Sequence, residues 1–368
     1  MNEDKATRYH RLGRRASLLS TAWTLALLSG VMWSGASVGL RTWAGGLAIG
    51  RSHAVVVVFY VLVLSLFLDL ATLPFAFYKG FHLERRYGLA TETPGHWLKD
   101  HLKAVGIGLL FAEAGALFVY YTLRRWPATW WMVSGVAYTL IAIVLVNLAP
   151  VLLLPLFYRF KPLDKTGLRD RLTSLAARAN TSIRGVYEWT LSDRTKKANA
   201  ALTGLGNTRR ILLSDTLLAE YSDDEIEVIL AHELAHHVHR DIWSAVLLDS
   251  VLTFAGFYAV HRLLMVAVPY FGLQSAADPA GIPILLVAAG ALGLAVKPLM
   301  NAISRSHERR ADTYALEMTK NPSAFISAMR RLGQQNLAEE NPSRLVQAFF
   351  YSHPPIKDRL RAANDWAA

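Results

Sequence analysis

The chain has 368 residues, of which 53% are hydrophobic and 18% charged, with 39 Lys and Arg against 28 Asp and Glu and no cysteine. So apolar a composition excludes an ordinary soluble enzyme and suits a membrane protein with polar segments. The missing cysteines exclude disulfides and thiolate chemistry. A net charge of +11 is compatible with nucleic acid, but the cations flank apolar stretches and no aromatic-basic module accompanies them, so no nucleic-acid partner is expected.

Residues 1–16 carry Lys5, Arg8, Arg11, Arg14 and Arg15. The apolar stretch after them, about Ala16 to Leu40, is too long for a signal-peptide core and reads as a retained span. Further spans are expected at about Ala54–Tyr78, Val105–Thr122, Ala128–Tyr158, Ile242–Val260 with a reach to Tyr270, and Ile282–Met300. Pro150 and Pro155 interrupt the fourth. Six spans put both termini on one side. Of all Lys and Arg, only Arg41, Arg51, Arg124, Arg125 and Arg262 then fall on the other. Positive charge marks the cytoplasmic side, so both termini and both long polar regions are expected there. Asp69, Glu113, Asn147 and Asp249 lie within spans and should face a bundle interior or a water-filled cavity.

Four regions follow. Residues 1–158 form an N-terminal membrane region, and residues 159–241 a cytoplasmic mixed α/β segment. Residues 242–300 hold two more spans, and residues 301–368 form a cytoplasmic tail. In the mixed segment Leu168–Ala179 reads as a helix. Val186–Leu191, Ala198–Thr203 and Arg210–Leu213 read as strands, the last two joined across Gly204-Leu205-Gly206-Asn207. Asn199-Ala200 is the candidate edge on which an extended peptide could pair.

Ser222-Asp223-Asp224-Glu225 then reads as a capping box opening a helix, and no Gly or Pro follows until Gly256. On that helix lies His232-Glu233-Leu234-Ala235-His236. Residues 232 and 236 stand one turn apart on one face, the separation at which two imidazoles can share a zinc ion, with Glu233 beside them to act on a water molecule. His237 points about 100° away from His236, and His239 lies about 10 Å along the axis from His232, so neither completes the site. The pattern that would supply a third histidine needs Gly at 239 and His at 242; this chain has His239 and Ile242. A glutamate on a second helix is the other solution. Glu308 offers it, with Asp312 one turn on to orient a ligand. With no breaker after the first motif, its helix is expected to run directly into the fifth span. Glu308 follows the sixth, so both halves meet at the cytoplasmic mouth of the bundle.

Near the end, Pro354 and Pro355 stiffen the backbone after His353, and Leu345, Val346 and Phe349 are expected to dock this tail through an apolar face. His353 is the candidate donor to a developing oxyanion.

Taken in order, these segments resemble the type I CAAX prenyl proteases, integral-membrane zinc endopeptidases related to the heat-shock protease HtpX. The resemblance rests on Leu83-Glu84-Arg85-Arg86-Tyr87-Gly88-Leu89, Trp97-Leu98-Lys99-Asp100, Pro155-Leu156-Phe157 through Lys161-Pro162-Leu163, and Asn199-Ala200. The zinc motif, Ser304-Arg305-x-x-Glu308-x-x-Ala311-Asp312 and His353-Pro354-Pro355 complete it. It implies a mainly α, polytopic fold with about six spans around a water-filled chamber and a gluzincin-type domain containing a small β-sheet. It assigns one zinc ion to His232, His236 and Glu308, catalysis to Glu233, and supporting roles to Asp312 and His353. Eukaryotic members have seven spans, so the first has no counterpart here. The compact length points to a prokaryotic relative in a bacterial cell membrane. The expected substrate is a peptide or membrane protein, lipidated or not. A broad quality-control protease of the membrane is the alternative. A structural zinc protein has no use for Glu233 beside an open coordination position. A transporter would place its ligands near the bilayer midplane.

Overall fold

The computed structural model describes residues 4–47, 52–204 and 209–368, apart from the Asn147 side chain. The turn expected at Leu205-Gly206-Asn207 and the Asn147 side chain therefore lie outside the described residues.

The chain opens with α1 (Lys5–Trp33), capped by the Asp4 carboxylate, and turns at Gly35, whose φ of +75° favours glycine. The first span thus ends at Trp33 rather than Leu40, and α2 (Ala36–Leu47) is a separate short helix. Helix α3 (His53–Phe77) continues through a π-helical turn at Tyr78–His82 into α4 (Leu83–Arg86). Trp97 packs over that turn, with its Nε1 3.0 Å from where a Cβ on Gly80 would sit, so a larger residue at 80 would displace it. Next come α5 (Pro94–Arg125) and α6 (Trp130–Leu152), the latter bent near Pro150.

Among the described residues, five helices are long and apolar enough to cross a membrane, or six if the bent pair Trp130–Val146 and Leu148–Leu156 forms one span. Their exposed residues, such as Phe67, Leu110, Leu140 and Val266, make an apolar exterior suited to lipid.

After α6, strand β1 (Phe160–Pro162) and α7 (Thr166–Arg178) lead into β2 (Gly185–Trp189), β3 (Ala200–Thr203) and β4 (Arg210–Ser214). Their order is β1-β2-β4-β3, with β2 and β4 parallel and the outer strands antiparallel to their neighbours. Three residues containing a proline gave no periodic signal for β1. The short α8 (Asp215–Glu220) precedes α9 (Asp223–Val238).

The break after α9 corrects an expectation. The first motif helix does not run straight into the fifth span: Arg240 takes the left-handed conformation, φ 58°, and α10 (Asp241–Tyr270) starts on a new axis. A non-glycine residue there costs about 1–2 kcal/mol, so nothing in its identity announced the turn. Helix α11 (Ile282–Thr319) is unbroken through Pro298, carrying an apolar half and a motif half on one rod. The tail folds as α12 (Pro322–Gln335), α13 (Arg344–Phe350) and α14 (Ile356–Ala367).

The long helices pack as a closed ring, α1-α3-α5-α6-α10-α11 and back to α1. A separate core joins α7, the sheet, α9, α12 and the end of α11 through Leu172, Leu175, Ile211, Leu230, Leu234, Phe325 and Ala315. Inside the apolar stretch of α5, both carboxylate oxygens of Glu113 are buried without a hydrogen-bond partner among the described residues. Asp69 lies 3.3 Å from His101. A carboxylate left without a partner is costly unless water reaches it. Single cysteines at Asp69, Glu113 and Asp249, in this naturally cysteine-free chain, should therefore react with a membrane-impermeant maleimide in detergent. Inertness at all three beside a reactive surface control would contradict a wet interior.

Candidate metal centre

Helix α9 begins on a complete capping box: Glu225 N donates to Ser222 Oγ at 3.3 Å, and Ser222 N donates to Glu225 Oε2 at 2.9 Å. The cap fixes the register of the helix. Ala231, Leu234 and Ala235 are fully buried, and α9 packs against α11 where Ala311 and Ala315 are also fully buried. These small residues let the two helices approach, which brings their polar side chains together in a buried seam.

His232, His236 and Glu308 meet there, with ligand atoms all within 4.8 Å of one another. His232 Nε2 lies 3.2 Å from Glu308 Oε2, and His236 Nε2 3.4 Å from Glu308 Oε1. The opposite ring nitrogens are occupied. His232 Nδ1 faces Asp312 Oδ1 at 2.9 Å, and His236 Nδ1 faces Asp241 Oδ2 at 2.9 Å. A carboxylate on each Nδ1–H turns both Nε2 lone pairs toward Glu308. Glu308 Oε2 is itself buried with no aligned hydrogen bond. Two imidazole nitrogens and the Glu308 carboxylate converging on one point suit a zinc ion.

The electrostatics favour a cation at that point. Burial opposes charge on His232, but hydrogen bonds to Asp312 and Glu308 outweigh it and raise the imidazole to about 9. Burial is likewise overcome at His236 by Glu308 and Asp241, and its pKa is raised. Burial pushes the Glu233 carboxyl up against the opposing pull of His232 and His236.

His237 and His239 point elsewhere. His237 Nε2 lies 3.2 Å from the Leu202 carbonyl, and the His239 ring meets Tyr314 edge-on at 5.5 Å. His353 Nδ1 lies 2.7 Å from Glu308 Oε2, so the tail closes over the cluster. The expected apolar docking of that tail is not what holds it: Leu345 is 76% exposed. Arg305, one turn before Glu308, instead donates to the carbonyls of Gln347 and Tyr351 at 2.9 and 2.7 Å, and Asn301 Nδ2 donates to Ala348 O. The Tyr351 hydroxyl donates to Glu339 at 2.5 Å and accepts from Arg14 of α1 at 3.1 Å.

Strand β3 is one edge of the sheet. Ser214 N donates to Asn199 O, so Asn199 faces β4 and its neighbours face outward. Ala198 is occupied on both backbone groups by the Asn336 side-chain amide, and the Leu202 carbonyl is taken by His237. The outward N–H and C=O of Ala200 take no partner among the described residues.

Sequence reasoning missed Asp241 and Arg359. Asp241 reaches His236 only because of the Arg240 turn, and it also binds Arg310. Arg359, on α14, clasps Asp312 through Nε and Nη2 at 2.8 and 2.5 Å. An arginine so far along the chain carried no spacing signal.

A two-histidine, one-glutamate cluster with a free carboxylate beside it, at the end of a ring of apolar helices, defines a membrane zinc metalloendopeptidase. Residues 162–367 match peptidase family M48, and residues 2–159 match the CAAX prenyl protease N-terminal family of five membrane helices. The chain belongs to peptidase family M48. It is 32% identical to the metalloprotease YhfN of Bacillus subtilis over 83% of this chain and 72% of that one. It is 30% identical to CAAX prenyl protease 1 of Saccharomyces cerevisiae over 82% and 70%. The crystal structure of S. mikatae Ste24p superposes with a TM-score of 0.88 at 25% identity, covering 98% of this chain and 88% of that one. The chain is thus a multi-pass membrane protein that hydrolyses peptide bonds.

Proposed function

We propose that one zinc ion per chain is held by His232, His236 and Glu308, and that the enzyme cleaves peptides at the cytoplasmic surface of a bacterial membrane, CAAX prenyl protease-like in its choice of substrate. The observation that carries this reading is the convergence of both Nε2 atoms on Glu308, each imidazole backed by its own aspartate. The prenylated substrate class is carried over from the printed names of relatives. The cytoplasmic side rests on the distribution of Lys and Arg.

The chemistry the ion supplies when bound is Lewis acidity, which acidifies a water and polarises the scissile carbonyl. Glu233 takes the proton of that water on its carboxylate and passes it to the departing amine nitrogen. Asp312, clasped by Arg359, and Asp241 keep the imidazoles turned and electron-rich. The backbone of Asn199-Ala200 pairs with the substrate as an added strand, its open groups being those of Ala200. Residues 1–158 and 242–300 form the membrane region. Residues 159–241 and 301–368 supply the two halves of the site.

His353 is the proposed oxyanion donor. It sits beside Glu308 on a segment pinned by Arg305, and its other ring nitrogen, which has no partner among the described residues, donates when the ring carries both protons. His353→Ala should keep the zinc and substrate affinity while lowering turnover by about 10²–10³-fold, the usual cost of one such donor. His353→Gln should recover part of it. Wild-type turnover in His353→Ala would reduce His353 to a turn residue.

The substrate reading is tested with purified protein, a farnesylated CAAX peptide, its unprenylated twin and an unfolded membrane protein. Preference for the farnesylated peptide supports it. Equal cleavage of the twin, or preference for the unfolded protein, replaces it with quality-control proteolysis.

A further inference from the structure

Away from the metal centre, where α5 meets the end of α6, lies a cavity of about 260 Å³. His96, Lys99 and Lys103 line it from successive turns of α5, and Arg159, Arg194 and Asp193 close the other side. Its apolar wall is the run Pro155–Tyr158. Leu156 there is 50% exposed.

Part of this cluster is rigidly built. Asp100 accepts from Arg194 Nε and Nη2 at 3.0 and 2.6 Å and from Lys103 Nζ at 3.0 Å. Lys103 also donates to the Leu156 carbonyl at 3.1 Å, and the Arg194 guanidinium lies 4.8 Å from the centre of the Tyr158 ring. Lys99 and Arg159 are exposed, and their side chains have no partner among the described residues. Lys99, Lys103, Arg159 and Arg194 face three carboxylates, Asp100, Asp193 and Glu92 beside His96, so one positive charge is in excess.

Position gives that excess a meaning. The apolar part of α5 begins near Val105, just after Lys103 and within two turns of Lys99, and α6 ends at the same level. The cavity therefore lies at the depth where a bilayer presents phosphate groups, with an apolar wall continuing toward the acyl chains. Cations that merely snorkelled would be spread around the bundle rather than gathered about one cavity.

We propose that this cavity is a phosphate-binding site, occupied in the membrane by the headgroup of an anionic phospholipid. Lys99 and Arg159 supply the free positive charge, and Arg194 and Lys103 are pre-set by Asp100. The phosphate oxygens accept from these groups while the acyl chains continue past Leu156.

Native mass spectrometry of the full-length protein in an uncharged detergent tests the site. Phosphatidylglycerol, phosphatidylcholine and inorganic phosphate are each titrated against the wild type. The same titrations are run on Lys99→Gln/Arg159→Gln and on a control, Arg85→Gln/Arg86→Gln, which removes two exposed cations at the same end of the bundle. Wild type should retain phosphatidylglycerol in preference to phosphatidylcholine. The Lys99/Arg159 variant should bind phosphatidylglycerol roughly 10–30-fold more weakly, about fivefold for each cation near a membrane surface, with the control unchanged. Peptidase activity and melting temperature should be unaffected, so a folding defect would be visible. Displacement of the lipid by millimolar inorganic phosphate would make free phosphate the ligand of the same site. No preference between the two lipids, or equal loss in the control, would overturn the proposal.

Discussion

Glu233→Gln should leave the fold and the zinc in place and lower peptide turnover by roughly 10²–10⁴-fold, the contribution of a positioned general acid–base group. The amide keeps the size of the carboxylate but cannot accept the water proton or return it to the leaving amine. Glu233 lies outside the convergent donor set, which consists of His232, His236 and Glu308. Removing its charge therefore takes no ligand from the ion. Zinc content measured beside a peptidase assay separates the two roles. Loss of zinc together with activity would make Glu233 a ligand. Retention of full activity would remove it from the chemistry.

The second large effect is expected at the ligands. His232→Ala, His236→Ala and Glu308→Ala should each weaken zinc binding by at least roughly 10²–10³-fold, since the total binding energy of such sites is shared among few donors. Asp312→Asn and Asp241→Asn should fall between these and the wild type, at about 10–100-fold, because they act on the metal only through an imidazole. His237→Ala and His239→Ala should retain zinc fully, as their rings contact Leu202 and Tyr314 instead. Competition with a chromophoric chelator reads all seven. Full zinc in Glu308→Ala would detach α11 from the site and demand another third ligand.

The grading of those effects follows what could and could not be read along the chain. The capped α9 and its i, i+4 histidines are local, so spacing alone placed them. Glu308 and Asp312 are also one turn apart, and only the need for a third ligand singled them out from an ordinary charged helix. Asp241 is five residues from His236, near enough to notice. Its reach depends on the left-handed Arg240, a conformation that no glycine marked. Arg359 reaches Asp312 from α14, and such a contact has no periodic signature. The apolar stretches were legible as spans because lipid tolerates little else. Their ends were not: the first stops at Trp33, where Gly35 turns the chain within a stretch that still reads as apolar. The tail was misread for a related reason. Leu345 looks like a docking residue, yet backbone carbonyls held by Arg305 and Asn301 do that work. Backbone acceptors are present at every position and leave no trace in the sequence.

The central claim is that one zinc ion bridges α9 and α11 through two imidazoles and the Glu308 carboxylate. X-ray absorption at the zinc edge of purified wild type and Glu308→Gln tests it most directly. The wild type should hold one zinc per chain with two imidazole nitrogens and oxygen ligands at about 2.0–2.2 Å. Glu308→Gln should bind less zinc and lose the carboxylate oxygen from the coordination sphere. A wild-type spectrum fitted by three imidazoles, or one left unchanged by Glu308→Gln, would contradict the account.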